Sequence, residues 1–426
     1  VLMHPSGVPV SLEECEELAT SEGAAHGWEL AGRYAARMLP QIFRPDEPVL
    51  QVALPPERQK ALEKLLGGIH PDTFISDDAL GWVYQFWQAK KKDEVNASEV
   101  KIGADELPAV TQLFTEDYMV LFLLHNTLGA WWAGKVVTAQ AALATEAESE
   151  SELRAACSLE GIEWTYLRFL RAETDDRWRP AAGTFEGWPR EAKDLRVLDP
   201  CMGSGHFLVA ALPILVAFRM AEEGLGAAAA VDAVLRENLF GLEIDPRCTQ
   251  LAAFAVALAA WKRTGGHLML PRLNLACSGL GINAKKEDWI RLAGNEPRTR
   301  SAMETLFRLF GLAPFLGSLI NPGRVGGDLL SAGFREVSLL LEEALAAEGG
   351  EGGVEDAELA VSATGIARAA SLLTGKYSLV ATNVPYLVRG KQADQIRNYT
   401  ESEAWLSFGS HDLATAFLLR CVEFCQ

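Results

Sequence analysis

From Ser11 to Leu39 the pattern is helical, with the apolar residues Leu12, Leu18, Trp28, Leu30, Tyr34 and Leu39 at mixed spacings between charges, and a second helical stretch follows at Pro56–Leu66. Another helix is predicted over Ala79–Lys92, where Trp82, Tyr84, Phe86 and Trp87 precede the run Lys90-Lys91-Lys92; the aromatics read as core and the lysines as a solvated face. The pattern then changes. Arg196–Leu198, Leu239–Ile244, Leu273–Cys277 and Ser378–Thr382 are short apolar runs bounded by turn or cap residues and separated by helical stretches, which predicts an α/β fold with an open, mostly parallel sheet. Between Arg291 and Thr374 the strand signal stops. Helices predicted at Met303–Phe310 and Phe334–Ala347 flank the tract Glu348-Gly349-Gly350-Glu351-Gly352-Gly353, which reads as a mobile acidic loop.

These patterns divide the 426 residues into an N-terminal helical domain (1–105), a first part of the sheet domain (106–290), a helical insertion (291–374) and a second part of the sheet domain (375–426). The formal charge of −18 excludes a chain that grips nucleic acid by overall basicity, so any DNA contact must be local or come from further sequence. Seven cysteines without a CxxC pair argue against a disulfide framework and a zinc ribbon, and no metal site is expected. The greasiest runs, Phe207–Phe218 and Leu251–Trp261, are too short for a membrane span. A cytoplasmic, membrane-free protein is the expectation.

Two constellations carry chemistry. In the first, Leu195–Leu208 reads as a strand ending in Asp199-Pro200, then a turn with Gly203 and Gly205 that opens onto an apolar helix. The glycines let the backbone approach a ligand. The third glycine of the dinucleotide fingerprint is missing, so a nucleotide-like ligand without a pyrophosphate fits better. The next strand ends at Glu243-Ile244-Asp245-Pro246, where the Glu243 carboxylate is suited to accept from both hydroxyls of a ribose; taken alone, it would sooner cap the helix starting at Pro246.

In the second, the strand Ser378–Thr382 runs into Asn383-Val384-Pro385-Tyr386. An exocyclic amine on a base is a poor nucleophile because its lone pair is delocalised into the ring. The Asn383 side-chain oxygen and the Val384 carbonyl would accept its two hydrogens and localise that pair, with Pro385 fixing the turn. Tyr386 would offer a face on which an extruded base could stack.

Together these residues resemble the amino-methyltransferases that use S-adenosylmethionine: Asp199–Leu208 matches their Asp-Pro-x-x-Gly-x-Gly-x-Phe-Leu signature, and Asn383–Tyr386 their Asn/Asp/Ser-Pro-Pro-aromatic signature, with Val384 in place of the first proline. Upstream, Leu107–Trp132 resembles the Thr-Pro-and-helix element of adenine-specific DNA methyltransferases, with Glu116 in place of the proline. The resemblance is narrower still to the PglX-type methyltransferases of BREX phage-defence systems, on Leu80–Trp87, Phe114-Thr115, Pro180–Phe185 and Thr382–Tyr386, and spans roughly residues 75–426.

That resemblance implies a Rossmann-like sheet and transfer of a methyl group to adenine N6 of double-stranded DNA, with the target base flipped. It implies S-adenosylmethionine as cofactor: Thr115 would meet its carboxylate, Asp199 its ammonium and Glu243 its ribose, with Pro200, Gly203, Gly205 and Ile244 forming the rest of the cradle. Asn383, Val384, Pro385 and Tyr386 would hold the base. An acidic residue near the third strand often meets the cofactor's adenine in such enzymes; here Cys277-Ser278-Gly279 stand there, and Asp288 is the substitute considered. Other defence-system proteins and phage anti-defence proteins are the implied partners. A recognition domain beyond residue 426, in a longer or split protein, is also expected. Cytosine N4 transfer, a protein glutamine methyltransferase, a single-chain restriction–modification enzyme and a DNA- or partner-binding defence scaffold stay open as alternatives. For the restriction enzyme only Pro71-Asp72 and the lysines at 90–92 suggest a nuclease centre, and a helix cap with a surface charge run explains them better.

Overall fold

The computed structural model describes residues 2–39, 42–43, 54–70, 72–73, 79–98, 100–111, 115–171, 173, 175–266, 269–293, 297–324 and 354–425. The expected helix Phe334–Ala347, the tract Glu348–Gly353 and Pro71 lie outside them.

Four parallel strands form the central sheet: β1 (Val197–Asp199), β2 (Leu239–Glu243), β3 (Asn274–Cys277) and β4 (Leu379–Val380), in the order β3-β2-β1-β4. The chain moves outward from β1 through β2 to β3 and then returns to pair β4 with the other edge of β1. Strand order therefore reverses at β1, the kind of position at which a crevice forms outside the carboxyl ends of parallel strands. The strands match the apolar runs seen in the sequence because β1 and β2 are buried throughout, and in the edge strands only Asn274 and Val380 are half-buried.

The covering helices follow from sequence in the same way. The helix His206–Glu223 (α3 below) starts directly after Gly205, ends at the left-handed Gly224, and buries Leu208, Leu212, Leu215 and Phe218. The helix Pro246–Thr264 (α5) begins with proline at its first position, where no amide hydrogen is needed; Asp245 caps it by accepting from the Arg247 amide at 2.9 Å. Glu243 is thus not the cap. In chain order the helices used here are α1 (Ala79–Ser98), α2 (Asp117–Leu124), α3, α4 (Ala227–Glu237), α5, α6 (Val354–Leu373) and α7 (Leu413–Phe424). α3, α4 and α5 pack on one another within one large apolar cluster; α6 and α7 share a second with Pro297–Phe310.

Near the N-terminus, the expected helical stretch is two helices, Leu12–Leu18 and Gly27–Met38, around a small core of their own. α1 departs further from expectation. Only Tyr84 among its aromatics is buried; Trp82, Phe86 and Trp87 are 47%, 84% and 77% exposed and are not core. Between Arg291 and Thr374 no strand occurs among the described residues, and the helix Pro297–Phe310 contains the predicted Met303–Phe310.

Candidate functional site

At the reversal point, one cleft gathers residues from five stretches of chain: Gly81, Tyr84 and Gln85 of α1, Thr115 before α2, Asp199–Ser204 after β1, Glu243 and Ile244 at the end of β2, and Asn383 and Pro385 after β4. Phe315–Leu319, the segment that follows the helix Pro297–Phe310, closes another side. Of the eleven predicted site residues, Thr115, Asp199, Pro200, Gly203, Glu243, Ile244, Asn383 and Pro385 line this cleft.

The other three have different surroundings. Gly205 takes a left-handed φ of 89°, and a side chain there would press against Ala252 of α5 at 3.0 Å, so its lack of a side chain serves the turn and the packing of α3 on α5. Val384 packs against the second apolar cluster. Tyr386 is 56% exposed, and its hydroxyl donates to Asn383 Oδ1 at 2.9 Å. Asp288, considered as an adenine ligand, lies in the short helix Lys286–Arg291, pairs with Arg291 at 3.4 Å and does not line the cleft.

The end of β1 is electrostatically unusual. Asp199 is 1% exposed; its Oδ1 accepts from the Cys201 amide at 3.1 Å, whereas Oδ2 has no hydrogen-bond partner among the described residues. Burial pushes its carboxyl up to about 7, only partly offset by the neighbouring Thr382 hydroxyl and the Cys201 amide. Glu243, 6% exposed, accepts from the amides of Gly203 at 2.8 Å and Asp245 at 3.0 Å; burial raises its pKa as well. Gly203, with φ of 53° and open space where a side chain would be, bends the turn so that its amide meets that carboxylate.

Asn383 sits between two hydroxyls. Its Nδ2 donates to Thr115 Oγ1 at 3.1 Å while its Oδ1 accepts from Tyr386, so the amide is held in one orientation. One lone pair of Oδ1 and the Thr115 hydroxyl hydrogen remain for further partners. Before α2, Glu116 occupies the cap position without a side-chain cap bond.

The α1 wall was not legible in the sequence. Tyr84 donates to Asp245 Oδ2 at 2.6 Å and accepts from Gln88 at 2.9 Å, which pins α1 to the end of β2. Burial and that bond raise the tyrosine pKa and keep it a neutral donor. Asp245 stays ionised: against burial, the Arg247 guanidinium and the Tyr84 hydroxyl hold it below the usual carboxylate range. Among the described residues no group of three or more His, Cys, Asp or Glu side chains is placed to hold a metal ion, and no helix is long and apolar enough to cross a membrane. All seven cysteines are free thiols. Asp72, of the suggested nuclease residues, is exposed, and its backbone amide donates to His70 Nδ1 at 3.3 Å.

No family model matches the chain. Among curated proteins it is similar to the adenine-specific methyltransferase PglX of Lacticaseibacillus casei (strain Zhang), 24% identical over 368 residues that cover 85% of this chain and 29% of that protein. It is also similar to the adenine-specific methyltransferase BrxX of Escherichia coli O9:H4 (strain HS), 27% identical over 379 residues covering 82% of this chain and 28% of that protein. The chain thus spans less than a third of the length of either relative, and the resemblance drawn from its motifs extends along most of its own length.

Proposed function

We propose that this chain is the catalytic region of an adenine-specific DNA methyltransferase of the PglX type, which moves a methyl group from S-adenosylmethionine to N6 of an adenine flipped out of double-stranded DNA. The observation that carries the reading is the cleft itself: a desolvated, half-satisfied carboxylate at the end of β1 faces the same space as the amide of an Asn-Val-Pro-Tyr loop at the end of β4. The names of the two relatives favour adenine over cytosine N4 or protein glutamine as the acceptor.

The residues fit the cofactor. A buried carboxylate oxygen without a partner suits an ammonium group, which would return Asp199 to its ionised form. Glu243 keeps lone pairs free for ribose hydroxyls beyond the two amides it already accepts from. The Thr115 hydroxyl hydrogen can donate to a carboxylate, while Pro200, Gly203, Gly205 and Ile244 shape the cradle. S-adenosylmethionine, when bound, supplies a methyl group made electrophilic by its sulfonium.

The rest falls to the chain. Asn383 Oδ1 and the Val384 carbonyl accept the two hydrogens of the adenine amine and draw its lone pair out of the ring. Pro385 fixes the turn, and the exposed Tyr386 ring stacks on the extruded base at the mouth of the cleft. The Phe315–Leu319 segment and α1 keep water out.

A Rossmann-like sheet domain, an N-terminal helical domain at 1–105 and a helical insertion at 291–374 belong to the same proposal, with α1 of the first region closing the cleft of the second. By the resemblance, the activity would act in the cytoplasm in BREX-like phage defence, beside other defence-system proteins and exposed to phage anti-defence proteins. Titration calorimetry with S-adenosylmethionine, followed by transfer of its labelled methyl group to DNA, tests the reading. Heat on binding and label in DNA support it; no heat from the polypeptide as it is made in the cell overturns it.

A further inference from the structure

One wall of the cleft contains a polar group that the proposed chemistry does not use. Gln85 lines the cleft from α1, and its Oε1 is sealed from solvent with no hydrogen-bond partner among the described residues. A carbonyl oxygen in that state is costly to leave unpaired, so beside a ligand cleft it suits a donor carried by the ligand.

The position of α1 says which part of a ligand would supply it. Tyr84, adjacent to Gln85, bonds to Asp245, and Asp245 lies two residues beyond Glu243. α1, from which Gln85 lines the cleft, is therefore anchored beside the end of β2 that carries Glu243. A ribose held at Glu243 places its base on this side, and the apolar side chains of Ile244 and Phe315, which also line the cleft, offer flat contact to a ring.

The competing candidates at the end of β3 are engaged elsewhere. Cys277 Sγ donates to the Ile244 carbonyl at 3.4 Å, Ser278 Oγ bonds with Ser318 Oγ at 3.0 Å, and Asp288 pairs with Arg291. No carboxylate from that strand reaches the cleft. A carboxamide is also the better match to adenine, because it presents an acceptor for the exocyclic amine and a donor for the adjacent ring nitrogen.

We propose that Gln85 reads the adenine of the cofactor, its Oε1 accepting from the exocyclic amine. This deepens the methyltransferase reading and rests on it. α1 then has two anchors with separate tasks: Tyr84 fixes the helix to β2, and Gln85 selects the base.

The test is calorimetric titration of the full chain with S-adenosylhomocysteine and with its analogue lacking the 6-amino group. For the wild type the analogue should bind about tenfold or more weakly, because it leaves the glutamine oxygen unpaired. Gln85→Leu should weaken S-adenosylhomocysteine by about the same factor and bind the two compounds alike. Gln85→Glu, which keeps an acceptor, should still prefer the amine. Thermal melting and circular dichroism of each variant confirm that it folds. If the wild type binds S-adenosylhomocysteine and Gln85→Leu discriminates as the wild type does, the assignment of Gln85 is overturned while the cleft reading stands. If the wild type binds neither compound, the cleft reading fails and takes this inference with it.

Discussion

The side-chain amide of Asn383 reaches the hydroxyl of Thr115 across 3.1 Å, joining two residues 268 positions apart in the chain. One lies in the loop after β4 and the other just before α2, so the element proposed to meet the cofactor also orients the group proposed to hold the amine. Thr115→Val removes the acceptor, and Thr115→Ser restores it. The expected result is methyl transfer lowered about tenfold in the valine variant and recovered in the serine variant. Single-turnover rates measured at saturating cofactor check it.

Tyr386 has two separable parts, an exposed ring proposed to stack on the base and a hydroxyl bonded to Asn383. Tyr386→Phe keeps the ring and releases the amide, so it should lower the maximal rate by several-fold with little change in DNA affinity. Tyr386→Ala should weaken binding of DNA carrying an unpaired target by about tenfold, since stacking a base is worth about 1–3 kcal/mol. Steady-state kinetics and fluorescence anisotropy on the two variants separate the contributions.

The raised pKa of Asp199 has a sign that can be tested. A buried carboxyl shifted up to about 7 contributes stability that is full below the ordinary carboxylate pKa and is lost as pH rises through about 7. Asp199→Asn should therefore make the ligand-free protein more stable than the wild type at pH 8, and should cost about tenfold or more in cofactor affinity. At pH 6.5, cofactor binding to the wild type should release protons. Titrations in buffers of different ionisation enthalpy reveal them, and the asparagine variant should show none from this site.

His125, 3% exposed in the π-helical turn His125–Gly129, accepts from the Tyr166 amide at 3.2 Å. Burial pushes its pKa down to about 4, against a small opposing pull from Asp117. The stability it carries is present above the ordinary histidine pKa and is lost as pH falls from about 6.5 towards 4. Denaturant midpoints should thus fall more steeply over that window for the wild type than for His125→Gln.

The two turn glycines should part company. Gly203→Ala meets only backbone strain, because nothing stands where its side chain would go, whereas Gly205→Ala adds a clash with Ala252. Gly205→Ala should destabilise by about 1–3 kcal/mol more than Gly203→Ala, measured by chemical denaturation.

What the sequence disclosed and what it hid divide along contact distance. The strands at β1 to β4, the glycine turn and the Asn383–Tyr386 loop are local patterns, each written in a few neighbouring residues. The α1 wall depends on Tyr84 meeting Asp245, 161 positions away, and no periodicity marks that pairing. The aromatics of α1 misled for a related reason. Trp82, Phe86 and Trp87 look like core by residue type, yet the side of the helix turned to the cleft carries Gly81, Tyr84 and Gln85. The role of Glu243 was ambiguous until Asp245 proved to be the helix cap, which leaves the glutamate facing the cleft.

The central claim is that the Asn383 loop directs a methyl group onto adenine N6. DNA from cells making the wild-type polypeptide, or its Asn383→Ala variant, can be digested to nucleosides and assayed by mass spectrometry, with modified positions mapped at base resolution. N6-methyldeoxyadenosine is expected at a defined sequence with the wild type and none above background with the variant. Equal N6-methyladenine in both, or methyl groups found only on cytosine N4, would contradict it.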